Sequence, residues 1–225
     1  MKLFFLISFI LVGVTSYSQT VPDSLSVKKH WEPILKESKL AIYFSGMWES
    51  LGVTIDETGE KITVLHKGDH FELVDGVNED SVDYSVKLRL FDVKNAASYA
   101  AEGGINSDES FRIMKTLFTP FVRASLQHPM MNKSGQMKLA GIENHVHVYL
   151  RGPNEGQVAS HTMIFINKQW VVIEGIHGEA KRVFNMTVDQ AIEYQKAAFE
   201  AKKVDTKKSW KKYKMWYLKW RKTVS

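Results

Sequence analysis

The chain has 225 residues, long enough for one well-buried domain, and its 44% hydrophobic and 24% charged content is that of an ordinary globular protein and excludes disordered and fibrous classes. It contains no cysteine, which excludes disulfides, thiol catalysis, thiolate metal sites and lipidation at a cysteine. The formal net charge of +5 averages two unlike parts: residues 202–225 carry ten Lys or Arg and one Asp, whereas residues 19–201 carry nineteen basic and twenty-four acidic side chains.

In chain order, Lys2 precedes a predominantly apolar run from Leu3 to Val14, followed by small residues at Ser16 and Ser18. That is the pattern of a bacterial-type signal peptide over residues 1–18, cleaved near Ser18, and it predicts an exported, periplasmic or secreted protein. Val27 to Met47 carries Val27, Trp31, Ile34, Leu35, Ala41, Ile42 and Phe44 at helical spacing, interrupted near Pro33. Val53 to Asp56 and Lys61 to Val64 flank the turn Glu57-Thr58-Gly59-Glu60 and predict a hairpin. Carboxylates in such a turn are ordinarily solvated. Asp83 to Leu90 alternates apolar and polar residues as a half-buried strand does. Asp92 then opens a short helix with Val93, Ala96, Tyr99 and Ala100 on one stripe, ended by Gly103-Gly104.

Asp108 to Gln127 spreads Phe111, Met114, Leu117, Phe118, Phe121, Val122 and Leu126 over a wide apolar arc, with Pro120 expected to split it into two helices. Gln136 to Gly141 and His145 to Leu150 read as strands. Val158 to Ile166 is expected to pair with Trp170 to Ile176, and Val188 to Lys202 to form a helix capped by Thr187. No internal repeat is evident. Residues 19–201 therefore read as one domain and residues 202–225 as a basic aromatic tail.

The segments Ile62 to Gly76, Asp83 to Leu90, Asp92 to Gly103 and Gly135-Gln136-Met137-Lys138-Leu139-Ala140-Gly141 give this order a counterpart. Over roughly residues 61–150 the chain resembles the sterol carrier protein 2 (SCP2-like) lipid-binding domain family. The resemblance implies an α+β fold: a largely antiparallel sheet of five to seven strands, helices on one face, and an apolar cavity between them for a lipid or other apolar small molecule. It implies no cofactor and no catalytic residue. The lining expected from pattern is Leu88, Leu90, Tyr99, Met114, Leu117, Phe118, Phe121, Met131 and Leu139. Flexible thioethers at Met114, Met130, Met131 and Met137 suit ligands of varied shape.

The tail places Trp210, Tyr213, Trp216, Tyr217 and Trp220 near one helical face among lysines. Such a face suits the surface of an anionic membrane, with aromatic rings at headgroup depth and lysines reaching phosphates. The alternative is that the rings pack on the domain and the lysines form its solvated outer face. Export argues against nucleic acid as the partner.

Two other functional classes stay open. His145, His147, His161 and His177, with Glu174, lie on segments able to neighbour one another and could serve a metal-dependent or hydrolytic enzyme. No H-E-x-x-H, G-x-S-x-G, P-loop or G-x-G-x-x-G signature supports such chemistry. An envelope interaction protein with a solid core is the third class.

Overall fold

The computed structural model describes residues 24–36, 40–101, 107–126, 145–167 and 169–225. The leader, the Gln136 to Gly141 segment, Met131 and Leu139 lie outside them. Among the described residues the fold is α+β, with two four-stranded mixed sheets and six helices. A single sheet of five to seven strands is thereby corrected, because Val158 to Ile166 pairs within a second sheet and does not extend the first.

The first sheet takes β1 (Ser50–Ile55), β2 (Lys61–His66), β3 (Phe71–Asp75) and β4 (Tyr84–Leu88) in the order β3-β2-β1-β4. The second takes β5 (His145–Arg151), β6 (Val158–Ile166), β7 (Gln169–Glu174) and β8 (Arg182–Thr187) in the order β7-β6-β5-β8. In each, the first three strands form an antiparallel meander, and the fourth crosses over to pair in parallel with the first. A helix follows each fourth strand directly: α3 (Leu90–Ala101) and α5 (Val188–Val204). Helices α1 (Val27–Lys36) and α2 (Leu40–Tyr43) precede the first sheet, α4 (Ser107–Leu126) lies between the two units in sequence, and α6 (Lys207–Trp220) ends the chain.

The duplication extends to atomic detail. Thr63 Oγ1 donates to Gly76 O at 2.7 Å, and Thr162 Oγ1 to Gly175 O at 2.8 Å. The amides of Gly76 and Gly175 each donate back at 2.8 Å, to Lys61 O and Ser160 O. Both glycines start the crossover at φ +83°, a left-handed conformation that side chains resist.

The first crossover lies across the sheet face opposite the helices, where a Cβ on Gly52 would come within 2.6 Å of Val77 Cγ1. Glycine there is a requirement of packing. In the second unit His147 holds the corresponding place on β5. His145 Nε2 and His147 Nε2 contact the carbonyl of His177, within the second crossover, at 2.7 and 3.3 Å.

The carboxylates of the β1–β2 turn are not simply solvated. Glu60 accepts from the amides of Val27 and Lys28 at 2.6 and 3.2 Å, and Glu57 accepts from the amide of Leu90 at 2.7 Å. Both therefore satisfy helix N-terminal donors, of α1 and of α3, a contribution of about 0.5–2 kcal/mol per cap. Asp92, expected as the cap of α3, lies in its first turn and is held by Arg89 at 2.6 Å.

Helix α4 runs through Pro120 without the expected break. Phe121 packs at 5.4 Å from Trp48 and 5.5 Å from Tyr84 of the first unit, while Phe118 lies 4.4 Å from His161 of the second. Burial on both sides holds the helix across the missing donor, and Arg123 donates to Val172 O on edge strand β7 at 2.6 and 3.0 Å.

The tail is part of the fold. α6 folds back along α5 after Asp205, which takes the left-handed conformation at φ 42° that ends α5. Thr206 and Ser209 then form a capping box. The rings of Tyr213, Trp216, Tyr217 and Trp220 gather around Tyr194 of α5 at 5.1–6.5 Å. Past α6, Val224 is 1% exposed, and its carbonyl accepts from Asn185 of edge strand β8 at 2.6 Å. No helix of the described residues is long and apolar enough to cross a membrane.

Two cavities flanking the central helix

Each unit has a partly open cavity between its sheet and its helices, with α4 as the shared wall. The first, of about 100 Å³, is bounded by inward-facing Leu51, Val53, Ile62, Val64, Phe71 and Leu88, by α1, and by Val93, Ala96 and Ala97 of α3. Trp48 and Phe44 close one end, and Ile113, Met114, Leu117 and Phe121 come from α4. Every lining side chain is apolar or aromatic. The indole N–H of Trp31 is used on Val93 O at 3.1 Å, and that of Trp48 is buried with no acceptor among the described residues.

The second cavity, of about 110 Å³, has the same construction. Strand register makes much of its lining the counterpart of the first: Val146 and Val148 stand for Leu51 and Val53, Met163 for Val64, Trp170 for Phe71 and Met186 for Leu88, while Phe184 takes the position of the core residue Val86. On the helices, α5 puts Ala191, Tyr194 and Gln195 where α3 puts Val93, Ala96 and Ala97. Ile62 is matched by His161, and Tyr84 by Arg182.

Those replacements change the electrostatics. His161 is 2% exposed, and burial lowers its pKa to about 4, so the ring is neutral at pH 7. Burial likewise pushes the phenols of Tyr194 and Tyr213 up, so both stay protonated. Gln195 Oε1, His161 Nδ1 and Trp220 Nε1 are buried without a hydrogen-bond partner among the described residues. At the seam between the units, Lys202 sits 4.1 Å above the Tyr84 ring. Desolvation lowers its pKa, and Asp83 opposes that shift.

Of the residues expected to line one cavity, Leu88, Met114, Leu117 and Phe121 line the first. Phe118 lines the second instead, because on α4 it belongs to the adjoining stripe that continues through Val122 and Leu126. Leu90 packs on the core without lining either cavity. Tyr99 lies on α3 with its side chain outside the described positions, and Met131 and Leu139 lie outside them altogether. Trp31, Trp48, Phe71 and the entire second cavity escape the sequence reading, since a strand's partner face is not encoded in its own alternation.

His161 does not join His145, His147 and His177. On β5 and β6, His147 pairs with Thr162 and Val148 with His161, so His161 faces the helices while His145 and His147 face the crossover. The sheet itself separates them. Among the described residues no group of three or more His, Asp or Glu is placed to hold a metal ion.

The tail's aromatic face, read as a membrane contact, is turned inward. Trp210 and Trp220 are buried, and Tyr213, Trp216 and Tyr217 are half-buried, because Tyr194 and Phe184 offer them an apolar seat. Lysines occupy the outer face. Lys207, Lys208, Lys211, Lys214, Lys219 and Lys222 are exposed and make no ion pair among the described residues, while Lys212 lies 3.4 Å from Glu200.

Comparison with protein families, curated proteins and solved structures finds no match to this chain.

Proposed function

We propose that this chain is an exported, non-enzymatic binding protein that seats an apolar ligand, the end of an acyl chain or a compact hydrocarbon ring, in the first cavity. The observation that carries this reading is the lining of apolar and aromatic side chains contributed by the sheet and by α1, α3 and α4. The order strand, turn, strand, strand, helix from β2 to α3 supports it too, since it is the order on which the SCP2-like resemblance rests. A cavity of about 100 Å³ is smaller than the roughly 300–1,000 Å³ of sites that bury a whole drug-sized ligand. A long acyl chain therefore enters by its terminus, with α1 or α4 shifting to admit more. Burial of apolar surface at about 25 cal/mol per Å² supplies the affinity.

Ala97, 1% exposed on α3, is the place to test this. Ala97→Leu fills the space, at a stability cost of about 1–3 kcal/mol. It should weaken binding of a fluorescent fatty-acid or sterol analogue at least about tenfold, equivalent to 1.4 kcal/mol. Circular dichroism establishes that the variant is folded. Unchanged probe affinity in the folded variant, or no binding by the wild type, refutes the reading.

The outer face of α6 supports a second element of the proposal: contact with an anionic membrane surface through lysines alone, without insertion of the aromatic face. Each lysine near such a surface contributes about 1 kcal/mol at low salt. Replacing Lys207, Lys208, Lys211 and Lys214 by Gln should abolish sedimentation with vesicles containing phosphatidylglycerol and leave the melting temperature unchanged. Wild-type binding should weaken steeply as salt shortens the Debye length from about 10 Å at 0.1 M. Equal binding to neutral vesicles refutes it.

A further inference from the structure

The two units build their cavities on one plan, but the first has only a buried donor without a partner, the indole N–H of Trp48, whereas the second has both a donor, Trp220 Nε1, and an acceptor, Gln195 Oε1. Ala97 of α3 is matched by Gln195 of α5. Gln195 is 3% exposed and Trp220 5%, both line the cavity, and neither Gln195 Oε1 nor Trp220 Nε1 has a partner among the described residues. An unmet buried donor or acceptor costs about 1–3 kcal/mol, so an orphaned pair beside free volume marks groups that a guest can satisfy. The pair comprises one donor and one acceptor.

We infer that the second cavity is a separate ligand site for a small neutral molecule with an apolar body and one hydroxyl group, which accepts from Trp220 Nε1 and donates to Gln195 Oε1. Neutrality follows from the surroundings. Tyr194 and Tyr213 are engaged with each other, and Arg182, the cation at the lining, already has a partner, so no free counter-charge faces a guest. An ion would lose its hydration uncompensated. The size is bounded too: about 110 Å³ falls short of the roughly 150 Å³ of a protein cavity that admits benzene, so a single ring enters as the lining yields slightly and anything larger is excluded. The inference does not depend on the first cavity holding a ligand.

Phenol and fluorobenzene, nearly equal in shape but differing in the hydroxyl, make the test on the full chain. Binding is followed through the indole N–H resonances, with Trp170 and Trp220 reporting the second cavity and Trp31 and Trp48 the first. Phenol should shift the Trp220 resonance saturably and bind about tenfold more tightly than fluorobenzene, the discrimination expected of a hydrogen-bonding site. Gln195→Met should bring phenol down to the affinity of fluorobenzene while Trp31 and Trp48 stay unmoved. Should that variant not fold, Trp220→Phe removes the donor and should narrow the preference in the same way. Equal affinity for the two probes, a response confined to Trp31 and Trp48, a preference that survives both variants, or no binding of either probe overturns the inference. Loss of fatty-acid or sterol binding in Ala97→Leu, with the phenol response intact, separates this site from the first.

Discussion

Removal of residues 206–225 is expected to abolish cooperative folding. The segment carries Trp210, Trp220 and Val224 into the interior, and its loss uncovers Phe184 and Tyr194 and frees the Asn185 amide on edge strand β8. Truncating a single buried Trp or Phe to Ala costs about 3–5 kcal/mol, and the whole stability of a domain is about 5–15 kcal/mol, so the combined loss meets or exceeds what is available. Trp220→Ala alone should lower stability by about 3–5 kcal/mol while leaving a folded chain. Urea or thermal denaturation followed by far-UV circular dichroism measures both. A truncated chain that melts cooperatively at the wild-type temperature would show the tail to be an appendage after all.

The charge break at residue 202 points the other way, towards an appendage, because composition averages over the circumference of a helix. Lys211 and Lys214 are exposed while Trp210 and Trp220, on the same helix, are buried. The stripe itself was legible in the spacing of Trp210, Tyr213, Tyr217 and Trp220. Its partner was not, since Tyr194 and Phe184 belong to elements that meet α6 only in the folded chain. The α4 segment holds a stronger signal. An apolar arc too wide for one core implies burial on two sides, and the structure packs Phe121 and Phe118 into different units.

Meander strands and the helices after β4 and β8 are legible in their periodicities, as is the α+β class. The duplication is not. Its units share hydrogen-bond geometry at Thr63 and Thr162 and at Gly76 and Gly175, but the paired positions Ile62 and His161, Ala96 and Tyr194, Ala97 and Gln195, and Gly52 and His147 have little chemistry in common. Backbone pairing preserves such a repeat while side chains diverge. For the same reason sequence spacing groups His145, His147 and His161, whereas register puts His161 on the opposite face. Glu57 and Glu60 look solvated in a turn because the amides they cap begin helices more than thirty residues away in the chain.

His161→Ile, which installs in the second unit the residue that the first unit carries at Ile62, should make the protein more resistant to acid. The imidazole is buried on the helix-facing side of β6 against Phe118, and desolvation lowers its pKa from 6.5 to about 4. The unfolded chain, with the ordinary value, therefore binds a proton between pH 6.5 and 4 that the folded chain refuses. Stability is unaffected by this group above about pH 6.5, falls as the pH drops towards 4, and is not lowered further by it below that, when both states are protonated. At 1.36 kcal/mol per pKa unit the loss amounts to about 3 kcal/mol across that window. In the Ile variant this component is absent. Urea unfolding at pH 7.5, 6, 5 and 4.5 should give wild-type and variant curves that diverge as the pH falls, with the variant favoured by about 1–2 kcal/mol at pH 5 relative to their difference at pH 7.5. Parallel curves over that range would mean that His161 is solvated or paired when protonated.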